Sequence, residues 1–201
     1  MNPDRQHLPQ IFLARHGQTE WSVTGQHTGR TDLPLTADGE QNARQLGERL
    51  KGFRFAAVFS SPRQRARRTC ELAGFANRVT LDPDLAEWNY GDYEGRRTED
   101  IQTARPGWNL FRDGCPNGET AEQVGTRADR VIERLRGSNG DVLVFGHRHF
   151  LSVLAVRWVG LPAERGAMLV LDEASLSVLG HNPHGEQPVI QQWNSGNRLP
   201  N

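Results

Sequence analysis

Arg15-His16-Gly17 stands directly after the apolar run Ile11-Phe12-Leu13-Ala14, and Gly146-His147 stands directly after Val142-Leu143-Val144-Phe145. Both runs read as buried strands of a parallel sheet, bounded by glycine. Ligands of an open α/β sheet bind beyond the carboxyl ends of its strands, so two histidines and an arginine delivered there predict one anion pocket. A histidine that attacks phosphorus must be neutral, with one ring nitrogen free and the other held by an acceptor. A backbone carbonyl in the turn at Gly17 is placed to be that acceptor for His16. Arg15 and His147 supply two cations for phosphoryl oxygens. Arg63 is the expected third, because Ser60-Ser61-Pro62-Arg63 lies where a strand gives way to a helix, whose amino terminus itself favours an anion. Glu87, in Leu85-Ala86-Glu87-Trp88-Asn89-Tyr90-Gly91, is the candidate acid for the leaving oxygen. Partial burial beside Trp88 and Tyr90 raises such a carboxyl toward the working range.

Strands and helices alternate around these residues in the manner of a βαβ protein. A long loop, Gln18 to Leu35, follows the first strand. Thr36 to Leu50 reads as a helix with Ala43, Leu46 and Leu50 on one face, and Ala56 to Phe59 as the second strand. Ser61-Pro62 predicts an N-cap with proline at the first helical position, and Gly74 closes that helix. A short strand is expected over Arg78 to Leu81, then an irregular cap or loop region over residues 84–118. Thr120-x-x-Gln123 is a capping-box start, leading a helix that ends at Gly137. After Val142 to Phe145 come a helix from Phe150 to Val159 and three tail segments, Met168 to Leu171, Ser175 to Leu179 and Val189 to Trp193. No repeat or linker divides residues 1–201, which are expected to form one domain.

Bulk properties permit this chemistry without pointing to it. Lys+Arg and Asp+Glu are 24 each over 201 residues, so no global field calls for a nucleic-acid or membrane partner. Lys51 is the only lysine. Arginine binds phosphate well in bidentate fashion, but GC-rich coding bias is the simpler explanation of the excess. Cys70 and Cys115 have no metal-ligand spacing, so no disulfide and a reduced, cytoplasmic setting are expected. Met1 to Gln10 lacks the apolar core of a signal peptide. The stretch from Phe150 to Leu161 is broken by Ser152 and Arg157, so it does not span a membrane.

Taken together, Arg15-His16-Gly17-Gln18-Thr19-Glu20-Trp21, the Thr28-Gly29 to Leu35-Thr36 segment, Ser60-Ser61-Pro62-Arg63, Glu87 with Tyr90-Gly91-Asp92-Tyr93-Glu94-Gly95, and Gly146-His147 resemble the histidine phosphatase superfamily, in its phosphoglycerate-mutase-like branch. The likeness runs from about Ile11 to Asn182, with every motif in family order. It implies a three-layer α/β/α sandwich with a mostly parallel central sheet. It also implies a phosphohistidine on His16, with Arg15, Arg63 and His147 around the phosphoryl group. Glu87 would protonate the leaving oxygen and later activate water. The family's loop asparagine falls on Ser22, whose hydroxyl is a candidate phosphate contact. Thr28 and Gly29 match substrate-side loop positions, and Tyr90 matches a tyrosine that faces substrate in the mutases. No metal and no organic cofactor is implied, and the partner is a small phosphorylated substrate.

One departure bears on the reaction. The mutases carry a longer insertion with an adjacent arginine pair, whereas Gly107 to Gly118 here is short and holds one basic residue, Arg112. Water should then reach the phosphoenzyme, which favours a phosphatase of broad acid-phosphatase or sugar-bisphosphatase type over a mutase. A non-catalytic phospho-ligand-binding protein is the third reading, weakened by the intact set of five residues. His16, His147 and His149 as a metal site is disfavoured by Arg15 beside them. Among Arg63, Arg65, Arg67 and Arg68, only Arg63 is expected to face the pocket, with the others solvated. Arg148 either presents an amide or side chain to phosphate or decorates a helix start, as does His149. Trp108 belongs to core packing or walls the pocket. The exposed face of the Phe150 to Leu161 helix and the tail strands are surfaces on which two chains would pair, so monomer and homodimer stand level.

Overall fold

The computed structural model describes residues 8–183 and 186–196. The elements follow in chain order as β1 (Ile11–Arg15), α1 (Glu20–Thr24), α2 (Ala37–Leu50), β2 (Ala57–Ser60), α3 (Gln64–Cys70), β3 (Val79–Leu81), α4 (Thr98–Ala104) and α5 (Leu110–Asp113). Then come α6 (Ala121–Arg136), β4 (Val142–Gly146), α7 (Arg148–Trp158), β5 (Leu176–His181) and β6 (Pro188–Ser195). The strands make one sheet in the order β3-β2-β4-β1-β5-β6. The first four are parallel, and β5 and β6 add an antiparallel edge.

Alternation along the central strands feeds two cores. Ile11, Leu13, Val142 and Val144 point to one face and pack with residues of α6 and α7. Phe12, Ala14, Leu143 and Phe145 point to the other, with Leu46 and Leu50 of α2 and Cys70 of α3. Strands buried on both faces must be apolar at every position, and each fully buried Leu or Phe contributes about 1.5–3 kcal/mol. The result is the expected three-layer α/β/α arrangement. Among the described residues no helix is long and apolar enough to cross a membrane.

Local signals set most helix starts. Thr36 caps α2 by accepting from the Gly39 amide, and Thr120 and Gln123 form the expected capping box on α6. The loop from Gln18 to Leu35 contains α1, unanticipated, which Thr19 and Ser22 start through a reciprocal box.

Four local expectations are corrected. α3 begins at Gln64 rather than Pro62, because the Gln64 amide donates to Asp32 Oδ1 at 2.8 Å while the Ser61 hydroxyl is bound to His147. The anion at that helix end is therefore the protein's own Asp32. α7 starts directly after His147, two residues earlier than expected. Met168 to Leu171 is no strand, since its carbonyls go to side chains: Leu171 O accepts from Arg15 and Val170 O from Trp193. α7 also offers no exposed apolar face for a second chain, because Phe150 through Val156 and Trp158 are all buried. Residues Met1 to His7 and Asn197 to Asn201 lie outside the described structure, so the expectations placed on those ends are not addressed.

Two glycines let the turn after β1 touch the first turn of α2. A side chain on Gly17 would overlap the Gly39 carbonyl, and one on Gly39 would overlap the Gln18 carbonyl. Gly39→Ala is expected to destabilise the protein by about 1–3 kcal/mol. A urea titration should report this as a lower midpoint at unchanged slope, and an unchanged midpoint would contradict the close contact.

Candidate active site

Sheet register brings the reacting groups together. Arg15 pairs with Gly146 and Ser60 with Phe145, so the next residues, His16, Ser61 and His147, emerge side by side. The ladder continues one step past the strands, through His16 N–H to Gly146 O and Ser61 N–H to Phe145 O. Ring centroids of His16 and His147 are 5.2 Å apart.

His16 is held as a nucleophile requires. Its Nδ1 lies 2.7 Å from the Gly17 carbonyl, so Nδ1–H donates there and Nε2 keeps its lone pair. Burial, then Arg65 and Arg15, push its pKa well below the usual 6.5, leaving the ring neutral. Thr69 Oγ1 fixes the turn by accepting from the Gly17 amide at 2.9 Å while donating to Arg65 O.

Arg65, not Arg63, is the second buried guanidinium. It is fully buried and donates to Thr31 O (3.0 Å), Thr28 O (2.9 Å), Gly29 O (3.3 Å) and His147 Nδ1 (3.2 Å). Because α3 starts at Gln64, its inward face carries Arg65, Ala66, Thr69 and Cys70. Arg67 and Arg68 are exposed as expected. Arg63 is half-buried, with its Nε buried and without a partner among the described residues, and neither it nor Arg65 lines the cavity over His16; what separates them is that Arg65 is fully buried and bonded to His147. Ala66 and Cys70, one turn apart, were the sequence signal for this face.

A cationic His147 is corrected as well. Its Nδ1 accepts from a guanidinium that never gives up its charge, so the proton sits on Nε2 and is donated to Ser61 Oγ at 2.8 Å. Burial first, then Arg65, hold its pKa well below 6.5. His147 in the resting site is a neutral spacer between Arg65 and Ser61.

The cavity over His16 is about 200 Å³ and is lined by Arg15, Glu87, Tyr90, Arg148 and His149, among others. Arg15 enters it from β1, anchored by Leu171 O at 2.5 Å and Glu173 at 3.2 Å. Its Nε is buried without a partner among the described residues. Glu87 Oε1 accepts the amides of Trp88 (2.8 Å) and Phe150 (2.9 Å), and Oε2 accepts that of His149 (3.1 Å). Burial raises its pKa, opposed by those amides and by Arg65. Arg127, which sequence reasoning missed, clamps this loop by donating to Asp84 O and Ala86 O while pairing with Glu119. It shows in sequence only as one polar residue on an amphipathic helix.

The remaining candidates divide. Ser22 and Thr28 line the cavity, but the Ser22 hydroxyl donates to Thr19 O and accepts from its amide. Gly29 does not line it; its amide goes to Glu94 and its carbonyl to Arg65. Tyr90 is buried with its hydroxyl 2.6 Å from His149 Nδ1. Arg148 is exposed at the rim. Trp108 is a core residue that lines a neighbouring recess instead. Arg112 is exposed and turned to Asp113 and the Gly107 carbonyl.

Four histidines held neutral by burial, His16, His27, His147 and His149, make folding pH-dependent. His16, His147 and His149 lie well below 6.5, and burial takes His27 to about 4. The unfolded chain binds these protons near pH 6.5 and the folded chain does not. Their contribution is thus complete above pH 6.5 and is lost as pH falls through it, each by about 1.4 kcal/mol per pH unit. Urea unfolding between pH 7.5 and 5 should show this decline, and His147→Gln should reduce the slope by roughly one proton. A stability flat over that range would refute the neutral assignment.

The profile of the histidine phosphatase superfamily (branch 1) matches residues 11–196. The chain is 40% identical over 190 residues to the sedoheptulose 1,7-bisphosphatase of Saccharomyces cerevisiae, a match covering 78% of this chain and 70% of the yeast protein. It is 39% identical to an acid phosphatase of Mycobacterium tuberculosis, across 94% of this chain and 95% of that one. A solved structure of a Mycobacterium tuberculosis open-reading-frame product superposes with a TM-score of 0.87 at 35% identity, covering 96% of this chain and 100% of that one. With its strand-end histidines, buried arginines and loop glutamate on a matching fold, the chain belongs to branch 1 of the histidine phosphatase superfamily.

Proposed function

We propose that this protein hydrolyses small phosphorylated metabolites through a phosphohistidine on His16. The observation that carries the reading is the orientation of His16: Nδ1–H is committed to Gly17 O, which leaves Nε2 to attack beside Arg15 and Arg65. In the first step Nε2 bonds to phosphorus as the phosphorus–oxygen ester bond breaks, and the proton on Glu87 passes to the leaving oxygen. Arg15 and Arg65 stabilise charge on the phosphoryl oxygens. In the second step the Glu87 carboxylate takes a proton from water, whose oxygen displaces His16 from phosphorus. Phosphate leaves and Glu87 is protonated again. Of its two oxygens, Oε2 accepts one amide while Oε1 accepts two, so Oε2 is the proton carrier.

Hydrolysis is favoured over mutase transfer by the short segment from Gly107 to Gly118. Its one basic side chain is engaged with Asp113 and Gly107, so this segment brings no cation over a substrate carboxylate. Relatives named as a sugar bisphosphatase and an acid phosphatase support the same choice.

The phosphoenzyme is tested by brief mixing with labelled substrate and acid quench. His16→Ala should trap no acid-labile, base-stable label, and full labelling of that variant would sink the assignment. Glu87→Gln should slow an alkyl phosphate by roughly 10²–10⁴-fold. With an aryl phosphate it should release a rapid burst of aryl alcohol and then turn over slowly, because the second step still lacks its base. In the wild type, kcat/KM for the alkyl ester should fall as pH rises through the raised Glu87 pKa, a limb absent from Glu87→Gln. Arg65→Ala should lower kcat/KM by roughly 10²–10³-fold, against about threefold or less for the half-buried Arg63→Ala. The reverse order would return the phosphate cation to Arg63.

A further inference from the structure

A second recess of about 180 Å³ adjoins the cavity over His16, and the two share His27, Thr98 and His149. Gln102 and Asn109 complete its polar lining, and Trp108 and Phe111 give it aromatic walls. Among the described residues no lysine, arginine, aspartate or glutamate lines it. Its two histidines carry no charge at neutral pH, since burial takes His27 to about 4 and holds His149 well below 6.5. Arg148 lines only the first cavity.

The recess lies on the leaving-group side. Glu87 Oε2 accepts the His149 amide, and the His149 ring bonds the Tyr90 hydroxyl through Nδ1. A chain attached to the oxygen that Glu87 protonates therefore meets Tyr90 and His149 first, and the recess next. His149 keeps Nε2 for a ligand, and His27 Nε2 is only loosely engaged, 3.4 Å from Thr98 Oγ1. Neutral imidazole, amide and hydroxyl groups pair well with alcohols, and aromatic walls suit the C–H faces between them. An anionic group lodged there would be desolvated without a lining cation.

We propose that this recess is a subsite for a neutral polyhydroxylated chain, so that the preferred substrates are phosphomonoesters of linear polyols or open-chain sugars long enough to pass His149. This rests on the phosphatase reading above. Short esters would leave the recess empty, and a chain ending in carboxylate would fill it poorly.

The test compares kcat/KM for phosphate release from glycerol 3-phosphate, sorbitol 6-phosphate and 6-phosphogluconate, with p-nitrophenyl phosphate alongside. Wild-type enzyme is expected to prefer sorbitol 6-phosphate to each of the other two esters by about tenfold or more. Ala167, exposed on the recess wall, gives a blocking variant. Ala167→Phe should bring the sorbitol-to-glycerol ratio toward one, a ratio that loss of folded enzyme does not move. Gln102→Lys should raise 6-phosphogluconate relative to sorbitol 6-phosphate by supplying the missing cation. Equal rates at both chain lengths, or ratios untouched by both variants, would overturn the subsite while leaving the phosphatase intact. No phosphate from any ester, the aryl one included, would overturn the phosphatase reading and the subsite with it.

Discussion

Everything at the site depends on the parallel register of β1, β4 and β2. Pairing Arg15 with Gly146 and Ser60 with Phe145 brings three chain segments to one line and releases His16, Ser61 and His147 together. The same register sends Phe12 and Ala14 to one core and Ile11 and Leu13 to the other. A slip by one residue would exchange the faces of a whole strand, so the apolar pattern that stabilises the sheet also fixes the position of His16. The amides of His16 and Ser61 extend the ladder past the strand ends, which makes the site a continuation of the sheet rather than a loop resting on it.

Charge is distributed so that the missing anion is the substrate's. Arg65 is buried against carbonyls and an imidazole rather than a carboxylate. Those carbonyls belong to the loop from Thr28 to Thr31, whose Gly29 and Thr31 amides are drawn onto Glu94 Oε1 at 2.9 Å each. One carboxylate thus shapes the cradle of a cation it does not pair with. The buried guanidinium keeps its charge, and burial first, then its field, keeps His16 and His147 neutral. Neutral is the state in which His16 can attack.

The proposed acid is built separately, and on a different support. Glu87 sits on a loop pinned from behind by Arg127 and in front by the first turn of α7. Those amides favour the charged carboxylate, whereas burial favours the neutral acid. A carboxyl raised by burial that still accepts three amides fits the proposed reaction, giving a proton in one half and taking it in the other. The same turn of α7 also presents His149, so Glu87 and the His149 ring share one support.

Sequence alone determined the strands, most helices, the sandwich, and the meeting of His16, Arg15 and Glu87 at one cavity. Those rest on local pattern: continuous apolar runs, capping signals, and a histidine set between an arginine and a tight turn. The Gly17 acceptor was legible for the same reason, being one residue away. Tertiary structure decided what local pattern leaves free. Asp32, distant in sequence, accepts the first amide of α3, and that helix buries Arg65 and leaves Arg63 at the side. The proton on His147 followed from a guanidinium 82 residues away, and the Arg127 clamp and the uncharged recess beside His149 arise from segments that meet only on folding. A helix's phase, a buried imidazole's charge and the lining of a cavity are properties of neighbours in space, and only the fold assigns those neighbours.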